Sequence, residues 1–504
     1  MLDLKNLGAP SEFWEYFIHI SKIPRCSRNE EKIRNYIKEE AEKFGFITRT
    51  DNIGNLAVQV PSKSDHNKKI ILQCHLDMIC EKNEGIIHDF TKDPLKLKII
   101  DVDEEKWLTA EGTTLGADNG TGICYILTLM KKINKKELEF ESLGFDFLFT
   151  VREEYDMGGA KKIDKGLIHG QFLINLDSGG ENNITIGCVG GISIKARIYT
   201  NLVILDQSKE IYIPIKLFCR GLRGGHSGED SNKGRGNAIK ILSQILWKLN
   251  RKYEIHLNAI NGGNAANAIP REANAIIFIR ESEYSEVFSQ IMEYFTEIKK
   301  VFNGIELDID FTIDKLNNYS DKKVLPKNIQ DKLFTLLFLL PSGALSMHPK
   351  ISNLAFASTN LGVIKTKKNY IKIRMLHRSF SKFYNEEICK KVFELMKMSG
   401  LEMERIIRGT YPPWIPDFNS SLLRIANRAH QDTFNKQPNI KAVHGGLEAT
   451  LLINHFPELE AIAIGPTNKS LHSPNEMLSI KSVGNTWNFL LNILKRIEEN
   501  NKKK

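Results

Sequence analysis

Short apolar runs alternate with helix-like segments along the first part of the chain, and this alternation restricts the fold more than any other feature of the sequence. The runs cover residues 55–60, 70–74, 145–151 and 172–176. An apolar helix-like segment at 122–130 lies between the second and the third run. Strands that are apolar on both faces are typical of parallel sheets covered by helices. The sequence therefore predicts an α/β fold with a mainly parallel sheet.

The pattern changes after Gly190 and returns near Leu401. The intervening part contains strand-like and helix-like runs at 192–199, 211–219, 238–249 and 275–280, and a further helix- and strand-rich part at 284–399. The resumed α/β pattern ends in a helix at 483–497. We therefore expect an α/β domain built from residues 1–189 and 401–504, interrupted by a large α+β domain at 190–400.

Composition and charge exclude several classes of protein. The first ten residues lack the basic start and apolar core of a signal peptide, and the longest apolar stretch, at 333–340, is much shorter than the ~20 residues of a membrane helix. We expect a soluble cytoplasmic protein without a membrane partner. The formal net charge is +9, but the lysines are dispersed along the sequence and are not interleaved with aromatic residues. This pattern argues against nucleic-acid binding.

The seven cysteines predict neither a disulfide framework nor a thiolate metal site. They are scattered, odd in number and without a CxxC pair: 26, 74, 80, 124, 188, 219 and 389. A cytoplasmic compartment keeps thiols reduced. We therefore expect seven free thiols, most of them packing residues.

Metal-ligating side chains follow the ends of the predicted strands. The residues at these positions are His75, Asp77, Glu153, Glu154, Asp177 and His472, and a loop before the apolar helix adds Asp118. Ligands bind at the carboxyl ends of strands in α/β sheets. Two neighbouring divalent ions need imidazoles, carboxylates and a bridging carboxylate, and this set supplies all three.

Two residues in this set have predicted roles other than metal binding. Asp77 lies two residues after His75 and can accept the second ring N–H of that histidine, which fixes its tautomer. Glu153 and Glu154 can divide their work, one binding metal and the other accepting a proton from water. Each feature alone is weak, because an HxD motif, a Glu pair or an Asp after a strand often has no function beyond solvation or helix capping. Their joint occurrence at strand ends favours a metal site.

The motifs around these residues resemble those of the aminoacylase/carboxypeptidase family of co-catalytic zinc peptidases. The similar segments are 74–77, 115–120, 150–154, 175–178, 223–228 and 465–474, with further likeness at 88–94, 267–273, 411–414 and 444–448. The resemblance covers nearly the whole chain. It implies a catalytic domain at 1–189 and 401–504, a lid domain at 190–400, and two Zn²⁺ ions per chain, with Mn²⁺ or Co²⁺ as alternatives.

The resemblance also assigns roles to individual residues. It implies that Asp118 bridges the metals, that His75 and Asp177 complete one site and that Glu154 and His472 complete the other. Glu153 is implied as the general base. In the lid, His226 is implied to stabilise the oxyanion. Three further residues are candidates for substrate binding: Asn267 and Arg374 for the C-terminal carboxylate, with Arg378 as a competitor of Arg374, and Glu448 for the substrate amine.

The implied reaction is hydrolysis of unblocked dipeptides, of the Xaa-His type with broad specificity, by a water that bridges two zinc ions. Alternatives of the same fold are an acyl-amino-acid deacylase and a tripeptide aminopeptidase, and a non-catalytic binding protein is the alternative from another class. Asn475 stands where an acidic residue is expected after His472. A homodimer through the lid is compatible with the resemblance. Because the lid is about twice as long as in many relatives, we expect His226 to act in its own chain.

Overall fold

The structure, a computed structural model, describes residues 7–64 and 68–502. Most of the N-terminal segment used to argue against a signal peptide therefore lies outside the described residues. In chain order, the elements of the first part are α1 (Ser11–Ile20), α2 (Glu31–Lys43), β1 (Ile47–Thr50), β2 (Leu56–Val60), β3 (Lys68–His75), β4 (Leu97–Val102), β5 (Glu105–Ala110), α3 (Ala117–Asn134), β6 (Leu143–Thr150), α4 (Glu153–Asp156), α5 (Gly158–Lys161), β7 (Phe172–Asn175) and β8 (Asn183–Cys188).

The middle of the chain contains most of the antiparallel strands. Its elements are β9 (Gly190–Tyr199), β10 (Val203–Ile204), β11 (Tyr212–Arg220), β12 (Gly225–His226), α6 (Ala238–Lys252), β13 (Ile255–Gly262), β14 (Ala268–Ile269), β15 (Ala273–Arg280), α7 (Tyr284–Val301), β16 (Asp310–Lys315), β17 (Lys323–Val324), α8 (Lys327–Leu339), β18 (Gly343–Met347), β19 (Ala355–Thr366), β20 (Tyr370–Ser379), α9 (Lys382–Met398) and β21 (Met403–Tyr411).

The last part returns to helices with short strands. Its elements are α10 (Ser421–Phe434), β22 (Asn439–Val443), α11 (Glu448–His455), β23 (Glu460–Ala463), β24 (Asn468–Lys469), β25 (Met477–Ser479) and α12 (Ile480–Lys502). Among the described residues, no helix is both long enough and apolar enough to cross a membrane.

The chain forms two compact units. The first contains the residues up to Gly187, Pro416–Ala442 and the residues from Leu447 onwards, and the second contains Cys188–Ile415 and Val443–Gly446. We expected the inserted domain to end at residue 400. The second unit extends further because β21 pairs with β9 over its whole length.

The sheet of the first unit has the strand order β1-β2-β6-β3-β7-β23-β8-β22. Its centre is parallel: β3 pairs in parallel with β6 and β7, and β23 pairs in parallel with β7. Every residue of β6 is buried, as expected for a central strand between two helical layers. The predicted α/β fold with a mainly parallel sheet is confirmed.

The second unit contains the same βαββαβ arrangement twice. In the first lobe the elements run β11-α6-β13-β15-α7-β16, and in the second lobe they run β9-α8-β19-β20-α9-β21. The strand order β16-β11-β15-β13-β19-β20-β9-β21 shows that each lobe places its four strands in the same relative positions. The lobes join edge to edge, because β13 pairs with β19 through Asn261↔Lys365 and Gly262↔Ile364. The result is one continuous antiparallel sheet.

The prediction of seven free thiols is wrong for two of them. Cys26 and Cys80 form a disulfide. An isolated parallel β-bridge between Cys26 and Met78 brings the two backbone segments side by side. The remaining five cysteines form no disulfide and are buried: Cys74, Cys124, Cys188, Cys219 and Cys389.

Candidate metal centre

The ends of three parallel strands converge on a cluster of potential metal ligands in the first unit. β3 ends at His75, α4 begins at Glu153 just after β6, and Asp177 follows β7. In three overlapping groups, the ligand atoms of each group lie within 4.8 Å of one another. Together these groups contain six of the predicted residues: His75, Asp118, Glu153, Glu154, Asp177 and His472.

Asp118 lies between two halves of this cluster and presents one oxygen to each. Its Oδ1 is 2.9 Å from Nε2 of His75, and its Oδ2 is 3.2 Å from Nε2 of His472. On the first side, Oδ1 of Asp177 is 3.7 Å from Nε2 of His75. On the second side, Oε1 of Glu154 is 3.1 Å from Nε2 of His472. A carboxylate in this position can bridge two cations.

Asp77 fixes the orientation of the groups around it. Its carboxylate accepts hydrogen bonds from the backbone N–H groups of Glu153 and Glu154, at 2.9 and 3.1 Å, and from Oγ of Ser27 at 2.7 Å. Nδ1 of His75 lies 3.1 Å from the carbonyl oxygen of Asp77, which can accept the ring N–H. That tautomer leaves the Nε2 lone pair of His75 free for a metal.

The pKa values in the cluster reflect crowded carboxylates. Burial raises the pKa of Glu153 well above its ordinary value, with the charges of Asp177, Glu448 and Glu154 adding to the effect. Burial alone would lower the pKa of His75, but the carboxylates of Asp177, Asp118 and Asp77 outweigh it and raise that pKa. Bound cations would lower the pKa values of the carboxylates, because a nearby positive charge favours the ionised form.

The donor set fits divalent cations. Four carboxylates, those of Asp118, Glu153, Glu154 and Asp177, are between 6% and 15% exposed and lie around only two imidazoles. Such a concentration of buried negative charge is costly unless positive charge compensates it. Imidazole and carboxylate ligands together are suited to zinc and to neighbouring transition metals.

The loop that carries Asp118 is held by Glu476, which sequence reasoning missed. The buried carboxylate of Glu476 accepts hydrogen bonds from the N–H groups of Leu115, Gly116 and Asp118, at 2.8, 2.9 and 3.2 Å. The family resemblance predicts an acidic residue at position 475, where this chain has Asn475, and assigns no role to Glu476. No local signal marks Glu476, because its partners are about 360 residues away in the sequence.

Arg25 is a second supporting residue that the sequence did not indicate. It is 3% exposed, and its guanidinium donates to the carbonyl oxygens of Leu76, Asp77 and Gly116. These carbonyls belong to the two loops that carry His75 and Asp118. No local motif marks Arg25, because its contacts join segments that are far apart in the sequence.

Glu448 lies at the start of α11 and is fully buried. Its Oε2 accepts hydrogen bonds from Nε2 of Gln73 at 2.8 Å and from Oγ1 of Thr150 at 2.5 Å. Burial raises its pKa to about 7. Its other oxygen, Oε1, is buried and has no hydrogen-bond partner among the described residues, so a substrate amine, the predicted partner of this carboxylate, would have to reach a buried atom.

In the second unit, His226 lies beside the loop that contains Asn267. The short strands β12 and β14 pair His226 with Ala268, and the backbone N–H of Ser227 donates to the carbonyl of Asn267 at 2.9 Å. The Asn267 side chain itself is exposed. Burial and the charge of Arg378 lower the pKa of His226, which favours the neutral ring.

The structure separates the two arginine candidates. Arg378 is 3% exposed, and its guanidinium donates to Oγ of Ser227 at 2.6 Å and lies 3.2 Å from Nε2 of His226. Its Nε donates to the hydroxyl of Tyr411 at 3.2 Å. Arg374 lies four residues earlier on β20, opposite Lys195. Arg378, not Arg374, is the arginine that contacts His226.

Comparison with known proteins agrees with these observations. A family model described as a peptidase dimerisation domain, M20_dimer, matches residues 219–304, which lie in the first lobe. The cytosol non-specific dipeptidase of Escherichia coli (strain K12) is 34% identical over 499 residues, which cover 99% of each chain. The chain belongs to the M20 peptidase family. It is therefore a peptide-bond hydrolase, and the resemblance to the aminoacylase/carboxypeptidase family is confirmed.

Solved structures extend the comparison. The crystal structure of aminoacylhistidine dipeptidase from Vibrio alginolyticus is similar with a TM-score of 0.85 and 31% identity, covering 98% of both chains. A tripeptidase from Staphylococcus aureus has a TM-score of 0.57 at 15% identity, covering 99% of this chain and all of the other, and shares the fold alone. Within the M20 family, this chain is thus similar over its whole length to dipeptidases of the aminoacyl-histidine group.

Proposed function

We propose that the chain hydrolyses unblocked dipeptides in the cytoplasm, with two zinc ions held by His75, Asp118, Glu154, Asp177 and His472. The observation that carries this proposal is the position of Asp118, whose two oxygens face different imidazoles. When bound, two such ions polarise the scissile carbonyl and make a water molecule more acidic. The two relatives named as dipeptidases, one of them after the cytosol, support the substrate class and the compartment.

Glu153 is the general base in this proposal. Its backbone is fixed by the bond from its N–H to Asp77, while its carboxylate lies within 4.0 Å of Nε2 of His75. It takes a proton from the attacking water and returns it to the leaving nitrogen. Burial, with the neighbouring carboxylates adding to it, raises its pKa in the metal-free cluster, and bound cations would act in the opposite direction.

Arg378 and His226 act together on the substrate. A guanidinium binds a carboxylate through two parallel hydrogen bonds, so Arg378 is suited to the C-terminal carboxylate of a dipeptide. That contact would draw the guanidinium away from Nε2 of His226 and free this atom to donate to the developing oxyanion. Asn267, whose exposed side chain is on the adjoining loop, assists in carboxylate binding in this proposal. Arg374 has no contact with this pair.

The rival substrates are acylated amino acids and tripeptides. The fully buried position of Glu448 gives no support to direct binding of a substrate amine. The preference for a free N-terminus therefore rests on the relatives and not on this residue. The dipeptide proposal, including the Xaa-His preference, is favoured by relatives at 31% and 34% identity that are named for dipeptides.

An assay panel tests the proposal. Purified enzyme is stripped with a chelator, reloaded with Zn²⁺, Mn²⁺ or Co²⁺, and given a free dipeptide ending in His, the same dipeptide acetylated at its N-terminus, and a tripeptide that extends it. We expect metal-dependent hydrolysis of the free dipeptide, with kcat/KM at least ~10²-fold lower for the other two substrates, because neither of them carries a free ammonium group and a free carboxylate on the two residues that flank the scissile bond. Faster turnover of the acetylated substrate would identify a deacylase instead.

A further inference from the structure

One face of the second lobe is strongly cationic. Ile194, Ala196 and Ile198 of β9 are buried in the core of the second unit, so Lys195 and Arg197, which alternate with them, point to the opposite face of the sheet. The same alternation on β20 places Lys372 and Arg374 on that face, between the buried residues at 371, 373 and 375.

The strand register gathers these cations into one block. Arg374 lies opposite Lys195, and Lys372 lies opposite both Arg197 and Lys365. Neighbouring strands are about 4.8 Å apart, and alternate residues of one strand are about 6.7 Å apart, so each of these charged residues lies within about 7 Å of the next along the sheet. With Arg408, whose charge acts on Lys195, the cationic face is defined by six residues: Lys195, Arg197, Lys365, Lys372, Arg374 and Arg408.

Few carboxylates compensate this charge within the described residues. Glu404 lies opposite Arg197 and forms a salt bridge with it at 2.7 Å. Burial and the neighbouring cations lower the pKa values of Lys195 and Lys372, the response expected of ammonium groups that repel one another. The six cations of this face are widely separated in the sequence, so the register of the strands brings them together.

The cationic face leads along β20 to Arg378. Arg374 and Arg378 are four residues apart on one strand, so their side chains point to the same face about 13 Å from each other. Arg378 is the group that contacts His226. The face therefore extends the positive potential outward from the residue to which the proposed function assigns the substrate carboxylate.

We propose that the cationic face selects dipeptides by net charge and favours those with an acidic side chain. This inference rests on the proposed function. A dipeptide with neutral side chains has one ammonium and one carboxylate group and no net charge, whereas an acidic side chain makes it an anion. A surface of one sign raises the local concentration and the association rate of ligands of the other sign. Lys195 and Lys372 act in this way as specificity-determining residues without touching the reacting atoms.

Ionic strength gives the first test. Three dipeptides share the N-terminal residue and end in Glu, Gln or Lys, so that Glu and Gln differ in charge but hardly in shape. We expect kcat/KM to fall in the order Glu, Gln, Lys at about 10 mM salt, where the Debye length is about 30 Å. The Glu-to-Gln ratio should be about 3 to 10 and should approach a constant low value at about 0.3 M salt. The difference should lie in KM and not in kcat.

Charge-neutral variants give the second test and separate this face from the charge of the metal ions. Lys195→Gln with Lys372→Gln should lower the Glu-to-Gln ratio at low salt toward its high-salt value. The matched control is Lys299→Gln with Lys391→Gln, which removes the same charge from exposed positions on α7 and α9 and should leave the ratio unchanged. If the double variant fails to fold, the single variants Lys195→Gln and Lys372→Gln should each lower the ratio part of the way.

The outcomes are distinct. A ratio that does not depend on salt, or that is the same in wild type and in the Lys195 and Lys372 variants, overturns the charge-selection inference while dipeptide hydrolysis remains. An equal fall in the Lys299 and Lys391 control assigns the effect to net charge and also overturns it. If none of the three dipeptides is hydrolysed while a free dipeptide ending in His is, this inference fails and the proposed function stands. If the dipeptide ending in His is not hydrolysed either, both fail.

Discussion

At the scale of single residues, the carboxylates of the candidate metal centre differ in the groups that they contact. Asp118 faces both imidazoles, Asp77 binds backbone N–H groups, and Glu153 is left without a backbone partner for its side chain among the described contacts. A carboxylate that is neither a hydrogen-bond anchor nor confined between two imidazoles is the one free to exchange protons. This division of labour leads to a direct test of the base.

Glu153→Gln preserves the size of the side chain but removes its ability to accept a proton. We expect kcat to fall by at least ~10²-fold, the lower end of general-base contributions, while metal content measured by atomic spectroscopy is unchanged. The matched variant is Glu154→Gln, which should lose metal because the residue pairs with His472 in the second group of ligands. The opposite pattern, with metal lost in Glu153→Gln, would exchange the two roles.

The clustering of the candidate ligand residues could be predicted from the sequence because most of them follow a strand or open a helix. His75 and Asp177 follow strands, so the fold alone brings them to one edge of the sheet. Arg25 and Glu476 could not be predicted, since their functions come from loops that meet only after folding. The Cys26–Cys80 disulfide could not be predicted for the same reason.

At the scale of elements, the carboxylate of Glu476 positions the loop from Leu115 to Asp118. Glu476 accepts three of its backbone N–H groups, and no other described side chain does the same for this loop. The geometry of the bridging carboxylate therefore depends on a residue that does not itself belong to the ligand groups. Supporting carboxylates of this kind commonly change metal affinity about 10- to 100-fold.

Glu476→Gln should weaken metal binding about 10-fold, because an amide NH₂ group would face the N–H donors of the loop. Competition with a chelator measures this change. Glu498→Gln is the matched control, since Glu498 is also a buried carboxylate that accepts backbone N–H groups, those of Glu141 and Ser142. It should lower thermal stability without altering metal affinity. Equal loss of affinity in both variants would show a general effect of stability.

A buried histidine on β20 predicts acid sensitivity of the second unit. His377 is fully buried, its Nδ1 lies 2.8 Å from Oγ1 of Thr359, and burial lowers its pKa to about 4. In the unfolded chain the imidazole of this histidine has a pKa near 6.5 and binds a proton below that pH, whereas the buried imidazole of the folded chain stays neutral down to about pH 4. The free energy of unfolding should therefore fall by up to about 3 kcal/mol as the pH drops from about 6.5 to about 4, and this contribution is fully retained above 6.5.

His377→Gln isolates this contribution, since Gln cannot become charged and can still bond to Thr359. Urea unfolding at about pH 7 and about pH 4.5 should show a smaller loss of stability for the variant than for wild type. His169→Gln, at an exposed position, is the control and should behave as wild type. If the two variants lose stability equally, His377 is not the source of the acid sensitivity.

At the scale of the whole molecule, the duplicated lobes bear on whether His226 acts within one chain. The match to a peptidase dimerisation domain falls on the first lobe, and the edge strand β13 of that lobe already pairs with β19 of the second lobe. The length of the insertion predicts a second lobe of similar size at about 284–399. The structure instead builds that lobe from β9 and the segment from α8 to β21, whereas α7 and β16 belong to the first lobe. Neither its identical topology nor the edge-to-edge joint could be predicted. Strand pairing between distant segments has no local signal in the sequence.

Mixing two inactive variants decides between action within a chain and action across a dimer. Glu153→Gln and His226→Ala chains are unfolded and refolded together, and hydrolysis of a free dipeptide is measured. If His226 acts in its own chain, the mixture stays as inactive as its parents. Recovery of about a quarter of wild-type activity, the value for random pairing in a dimer that shares this residue between subunits, would contradict the single-chain proposal.

The first strand of the second lobe precedes the whole first lobe in the chain, and this order affects folding during translation. The first strand of the second lobe, β9, leaves the ribosome about 180 residues before its partner β20, with the whole first lobe between them. At about 5 to 20 residues per second, β9 waits roughly ten to thirty seconds with an unpaired edge, while the first lobe can already fold. Such an edge can pair with another nascent chain. Slower translation of the first lobe should therefore increase aggregation, and a chaperone that holds extended apolar segments should reduce it.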